Sequence, residues 1–222
     1  MTPRVLFIVN AGPEVGGGHV MRSLTLAAAL TERGAQCQFL ADANVEAILA
    51  AFAPDLPRRA VASLAPEALV EAAAALAFEA VVFDHYGLAR PEHQAIADGR
   101  PAVVIDDLAD RRLGGSLVLD SGPDRTDADY RGLTEGARLM LGPRYAPVRP
   151  AFAALRNEAL ARRAEPLRRV LVSMGLTDVG GITSQVVERV RRRFGDTELD
   201  VVVGAAAASR KGLTRIAAHD PR

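Results

Sequence analysis

The chain has 222 residues, 49% of them hydrophobic, which is enough for a buried core and one or two domains. Its 27 basic and 27 acidic residues cancel without any long run of one sign, which argues against nucleic acid as a partner but leaves room for a small anionic ligand. The single cysteine, Cys37, excludes a disulfide framework and a thiolate-rich metal site and reads as a core or strand thiol.

No apolar run approaches the roughly 18 residues of a membrane span. The opening MTPRVLFIVNAG is too short in its apolar part for a signal peptide and lacks a small-residue cleavage site. A soluble cytoplasmic protein is expected. Arginine far outnumbers lysine, with Lys211 alone, which points to a GC-rich bacterial genome.

In chain order, β-branched and apolar runs predict strands over Val5 to Val9, Cys37 to Leu40, Ala80 to Phe83, Ala102 to Ile105, Leu117 to Leu119 and Leu139 to Leu141. Helical patterns fall over Gly18 to Arg33, Val45 to Phe52, Pro66 to Leu76 and Pro91 to Ala97, with Gly34 as the stop signal of the first. The strands carry no polar alternation, as expected of strands covered on both faces. This βαβ rhythm predicts an α/β fold, a Rossmann-like doubly wound parallel sheet over residues 1–149.

Pro150 to Arg163 reads as a connecting helix, placed at 150–165. A second α/β unit starts at 166 with the strand Arg169 to Ser173, the helix Ile182 to Arg193 and the strand Leu199 to Val203. Two strands make an incomplete unit, so 166–222 is expected to be the truncated start of a C-terminal nucleotide-binding domain. His93 and His219 read as surface residues of a helix and of a tail, and Tyr130 gives no signal beyond packing.

GPEVGGGHVMRSLTLAAAL follows the first strand. It has the glycine spacing of a P-loop, but Gly18-His19 stand where Lys-Ser/Thr belong, and the dinucleotide pattern fails at Met21. Asp42, at the end of the second strand, keeps the dinucleotide reading open as a ribose-binding acid. What survives is general: the backbone amides of Gly17, Gly18 and His19 are orphan donors at a helix N-terminus, where the dipole favours an anion.

That dipole disfavours an imidazolium, so His19 is expected to be neutral and able to accept a proton as a general base. Arg22, one turn on, shares its face and can hold a negative group. Otherwise His19 merely caps the helix and Arg22 is solvated.

Asp84-His85-Tyr86-Gly87 and Asp106-Asp107-Leu108-Ala109-Asp110-Arg111 each follow a strand, and Asp120 ends another. All fall at the carboxyl edge of the sheet, where open α/β folds bind ligands. Acids on one edge can hold magnesium, but they more often cap helices or orient donors, and no metal or cofactor is expected. LGPRYAPVRP, with Arg144, Tyr145 and Arg149, lies between the two units and is expected to line an interdomain cleft. Met174, Gly175, Thr177 and Asp178 open a loop after the strand of the second unit.

Taken together and in this order, GGGHVMRSLTLAAAL, FDHYGL, VIDDLADR, LGPRYAPVRPAF and VSMGLTD resemble the nucleotide-sugar hydrolases of pseudaminic acid biosynthesis. That family removes UDP from UDP-2,4-diacetamido-2,4,6-trideoxy-β-L-altropyranose and is related to the two-domain GT-B glycosyltransferases. The resemblance runs from about residue 4 to about residue 178.

It implies a GT-B-like fold, water attack at the anomeric carbon with inversion and no metal or cofactor, on a small-molecule UDP-sugar with no nucleic acid or membrane partner. It implies His19 and Tyr86 as catalytic groups, and Gly17, Gly18, Arg22, Asp84, His85, Asp107, Tyr145 and Arg149 as substrate-binding ones. Met174, Gly175, Thr177 and Asp178 would bind the nucleotide.

Two departures stand out. Leu176 occupies the place of the family's usual second glycine, and nothing matches the family's later serine- and glutamate-bearing segment. The alternatives are a GT-B glycosyltransferase and an inactive sugar-nucleotide-binding remnant, and a monomer is expected.

Overall fold

The computed structural model describes residues 2–175, 177–205 and 207–220; Leu176, with the expectation attached to it, lies outside them. The described residues fall into two compact units. One holds the chain up to Asn10 and His19–Val148, and the other holds Ala11–Gly18 together with the chain from Arg149 onward.

In the first unit the apolar runs become β1 (Arg4–Val9), β2 (Gln36–Ala41), β4 (Ala80–Asp84), β5 (Ala102–Ile105), β6 (Leu117–Asp120) and β7 (Arg138–Leu141). A short strand, β3 (Arg58–Ala60), is added at the edge beside β2. Its sequence, Arg-Arg-Ala, carries no apolar pattern, so the sequence reading has no strand there. The helices are α1 (Gly18–Thr31), α2 (Ala43–Phe52), α3 (Pro66–Ala74) and α4 (Arg90–Ala97).

The sheet order is β3-β2-β1-β4-β5-β6-β7 and every pairing is parallel. The chain builds outward from β1 to β3, then returns to place β4 on the other side of β1. Order therefore reverses between β1 and β4, which is the switch point where such sheets open a crevice at their carboxyl ends. Val9 stands opposite Asp84 there, and the Asn10 amide donates to the Asp84 carbonyl at 2.9 Å.

Leu6, Ile8, Leu40, Val81, Phe83, Val104 and Val118 carry the core between sheet and helices. Phe7 and Phe39 stack with centroids 4.6 Å apart, and Cys37 is buried in β2. Among the described residues no helix is long and apolar enough to cross a membrane.

Two expectations are corrected in this unit. Asp42 caps α2, accepting from the amides of Asn44 (3.0 Å) and Val45 (2.9 Å), so its carboxylate serves the helix and not a ribose. His93 is not on the surface: it is fully buried against Phe83, its Nδ1 accepting the Gly114 amide at 3.2 Å.

The second unit contains α5 (Pro150–Ala161), β8 (Arg169–Ser173), α6 (Thr183–Arg193), β9 (Glu198–Val202) and α7 (Arg210–His219). β8 and β9 pair in parallel, and Val172, Val187 and Leu213 form the core against α6 and α7. Leu171 and Val202 remain 65% and 54% exposed, so a two-stranded sheet here covers only part of its surface. His219, expected in a tail, ends α7, whose periodic Leu213, Ile216 and Ala217 are the helical signal the sequence reading passed over.

Burial pushes His93 down to about 3, helped by Arg111 and His85, so the ring is neutral in the folded protein. The unfolded chain takes up this proton near the ordinary value of about 6.5. Between these two values the unfolded state binds more protons, so this contribution to stability is complete above about pH 6.5 and is lost as pH falls toward about 3. His93→Asn keeps an acceptor for the Gly114 amide and has no proton to gain. Urea unfolding across that window is expected to show a shallower pH dependence for the variant than for the parent.

Candidate functional site

The spacing of α1 sets the site. His19, Arg22 and Ser23 stand at i, i+3 and i+4, hence on one face of the first turns, and that face meets the end of β4. Asp84 is completely buried there and is the common partner. His19 Nδ1 lies 2.6 Å from Asp84 Oδ1. Arg22 grips both oxygens, Nε on Oδ2 at 2.6 Å and Nη2 on Oδ1 at 2.5 Å. Ser23 Oγ reaches Oδ2 at 3.4 Å.

Arg22 also extends its Nη1 to Asp107 Oδ2 at 2.9 Å, so one guanidinium ties the ends of β4 and β5 together. Burial raises the Asp107 carboxyl, but Arg22 more than offsets this and holds it below the ordinary carboxylate value. Such a fork on two carboxylates is a geometry that arginine provides and lysine does not.

The ring nitrogens of His19 are thereby distinguished. Nδ1 has two partners of opposite kind: Asp84 Oδ1 at 2.6 Å, which can only accept, and Arg22 Nη2 at 3.1 Å, which can only donate. Tyr86 packs edge-on against this ring, centroids 4.4 Å apart and planes at 88°. Its phenol is pushed up to about 12, first by burial and then by the Asp107 carboxylate, so it stays protonated and can donate.

His85, the next residue after Asp84, is buried, and its Nε2 has no hydrogen-bond partner among the described residues. Its Nδ1 accepts the Gly87 amide at 3.0 Å, and burial, with neighbouring His19, lowers it to about 4. The ring is a buried neutral support for the turn.

Beside this cluster lies a buried polar layer that the sequence reading did not identify. Tyr130 Oη touches Asp106 Oδ2 at 3.0 Å and Asp120 Oδ2 at 2.7 Å. Arg111 pairs with Asp106 at 2.8 Å and Arg125 with Asp120 at 2.8 Å. The acids after β5 and at the end of β6 are thus matched inside the chain, and among the described residues no cluster of potential metal ligands is found. Only the aspartates were visible as a pattern; nothing in the sequence marks Tyr130 or Ser23 as their partners.

Gly17 is buried, and Gly18, the first residue of α1, is exposed with open space where a side chain would stand. Tyr145 ends a 3-10 turn after β7, with the Arg144 guanidinium 4.7 Å above its ring.

In the second unit Arg149 precedes α5 and lies over Phe152 at 5.6 Å. Met174 is part-exposed, and Gly175 (φ +96°) and Asp178 (φ +49°) adopt left-handed backbone on either side of the loop that contains Thr177. The Asp178 carboxylate is buried and accepts from Thr183 N (3.0 Å) and Oγ1 (2.5 Å) and from Ser209 Oγ. It is committed to pinning the starts of α6 and α7, so what the loop can offer a ligand is backbone amides. Gly180 and Gly181, both at positive φ before α6, belong to this loop. The Gly-Gly dipeptide is a turn signal that the sequence carries.

No family model matches the sequence, and no curated protein matches it. Among solved structures, MurG of Acinetobacter baumannii aligns over 99% of this chain at 15% identity, with a TM-score of 0.54. UGT89C1 of Arabidopsis thaliana complexed with UDP aligns over 95% at 13% identity, also at 0.54. Its complex with UDP-L-rhamnose aligns over 96% at 14% identity and 0.51. The fold is GT-B-like. The chain spans 64% of the length of MurG and 69% and 68% of the two UGT89C1 chains.

The buried carboxylates make the site's stability predictable. Asp84→Ala strands Arg22 and His19 next to a buried void and is expected to cost on the order of 3 kcal/mol or more. Asp107→Ala, at a carboxylate with 35% side-chain exposure, should cost clearly less. Urea unfolding of the two variants tests the ranking. Tyr130→Phe leaves two buried carboxylates without their shared hydroxyl and is expected to cost about 1–3 kcal/mol by the same measurement.

Proposed function

We propose that this protein hydrolyses a nucleotide-linked sugar, with His19 as the base that activates water and Asp84 as the group that orients it. The observation that carries this reading is the 2.6 Å contact between His19 Nδ1 and Asp84 Oδ1 at the switch point of the sheet. In this reading the shorter of the two contacts at Nδ1 fixes the proton there and Nε2 accepts one.

In the proposed step, water attacks the anomeric carbon and gives its proton to His19 Nε2. The bond from that carbon to the diphosphate oxygen breaks, and the electron pair leaves with UDP. Attack opposite the leaving group inverts the centre. UDP is a good leaving group and asks for electrostatic stabilisation more than for an acid. Tyr86, beside the His19 ring and hydrogen-bonded to Asp107, is proposed as a second group that contacts the substrate.

Arg22, bound to Asp84 and Asp107, takes a positioning role in this reading beside the substrate-binding one that the resemblance implies. For the second unit by itself, nucleotide binding is proposed at Met174, Gly175, Thr177 and Asp178, with Gly180 and Gly181 before the N-terminus of α6. The five ordered motifs support UDP-2,4-diacetamido-2,4,6-trideoxy-β-L-altropyranose as the substrate, and with it a cytoplasmic step of pseudaminic acid synthesis.

A second reading, transfer of the sugar to an acceptor, draws on UGT89C1, a chain of like fold solved with UDP-L-rhamnose and with quercetin. The same base would then deprotonate an acceptor hydroxyl.

Incubation with the UDP-linked trideoxy-altrose and no acceptor is expected to release UDP. His19→Ala is expected to lower the rate by about 10²–10⁴-fold, the usual range for a general base. Release that requires an added acceptor supports transfer. UDP binding without turnover under either condition overturns both enzymatic readings in favour of a binding remnant.

A further inference from the structure

Five strand ends at the carboxyl edge of the seven-stranded sheet carry a polar side chain at the last strand residue or the next one: Asn10, Asp42, Asp84, Asp106 and Asp120. The four aspartates are all engaged within the fold. Asp42 caps α2, and Asp84 holds His19 and Arg22. Asp106 takes Arg111 and the Ala109 amide, and Asp120 takes Arg125 and the Gly122 amide. Asn10 is different. Its backbone amide donates to the Asp84 carbonyl at 2.9 Å, yet its part-buried side chain has no hydrogen-bond partner among the described residues.

Asn10 follows Val9, which stands opposite Asp84 at the switch point. Neighbouring strands lie about 4.8 Å apart, so Asn10 is next to the residue that holds His19. The chemistry of its side chain fits that place. An aspartate here would put another part-buried carboxylate beside Asp84, and Arg22, Arg111 and Arg125 already serve the acids of this edge. A carboxamide brings an acceptor and two donor hydrogens without a charge. None of them is used inside the fold.

We propose that Asn10 reads the substituent on the ring carbon next to the reacting one, and that this substituent is an acetamido group. The inference rests on the nucleotide-sugar hydrolase reading above, in which His19 stands at the anomeric carbon, so that the neighbour of Asp84 meets the group at carbon 2. An acetamido group offers one N–H and one carbonyl. The Asn10 carboxamide returns a carbonyl and an N–H, so the pair closes through two hydrogen bonds. A hydroxyl presents a single oxygen for both roles and cannot meet both groups with straight bonds. Asn10 touches no reacting atom; its role is specificity.

The test compares kcat/KM, read as UDP release without acceptor, for two UDP-sugars that differ only at carbon 2: the diacetamido-trideoxy-altrose and its analogue with a hydroxyl there. The parent is expected to favour the acetamido sugar, and Asn10→Ala to lower that preference about tenfold or more, the effect of losing one or two hydrogen bonds. The intrinsic reactivity of the two sugars is the same in both proteins, so the change in their ratio reports Asn10 alone. The substitution removes no side-chain hydrogen bond of the fold, and its urea midpoint is expected to match the parent's. UDP release by the parent with a ratio unchanged in Asn10→Ala overturns this assignment and leaves the hydrolase reading standing. No release from either sugar by the parent overturns the hydrolase reading, and the assignment falls with it.

Discussion

A single buried carboxylate organises the first unit around its crevice. Asp84 sits at the end of a central strand with no access to solvent, a position that costs several kcal/mol for an ion unless its oxygens are matched. His19, Arg22 and Ser23 do the matching, all from one helix. The requirement therefore fixes three things at once: where α1 starts, how it is rotated about its axis, and which nitrogen of His19 is turned to the crevice. Arg22 extends the constraint to β5 through Asp107, so neighbouring loops are held in register by charge as well as by backbone pairing. An imidazole held this way owes its orientation to the scaffold.

The second unit repeats the device with different partners. Asp178 is buried in a left-handed conformation, and its oxygens take donors from Thr183 and Ser209, at the openings of α6 and α7. Burial pushes its carboxyl up, but these hydrogen bonds prevail and hold it below the usual value. In both units an aspartate that follows a strand is spent on shaping a loop. What is left uncommitted is an imidazole nitrogen in one case and glycine-rich backbone in the other.

Much of this was legible. Continuous apolar runs such as Leu6 to Val9 and Val81 to Phe83 become parallel strands covered on both faces, because a strand without polar alternation has no side to show to water. Placing His19, Asp84, Tyr86 and Asp107 near one edge needed only the rule that loops after parallel strands share an edge. The pairing inside that edge was not legible. Whether Arg22 faces a phosphate or two carboxylates is decided by contacts between residues more than sixty positions apart. β3 was missed because an edge strand of three residues is held by its neighbour and needs no pattern of its own. His93 was misplaced because a polar residue among Glu92, Gln94 and Ala95 gives no sign that the Gly114 amide supplies a partner in the core.

Three adjacent strand ends, at β4, β5 and β6, each deliver a buried aspartate that is met by an arginine: Asp84 by Arg22 from α1, and Asp106 and Asp120 by Arg111 and Arg125 from the loops that follow them. Much of the acidic charge at this edge is therefore paired within the fold. The pairs also behave as units over sequence change. Losing an aspartate from this edge leaves a spare guanidinium, so the protein would gain affinity for anions in the same step in which it gave up stability.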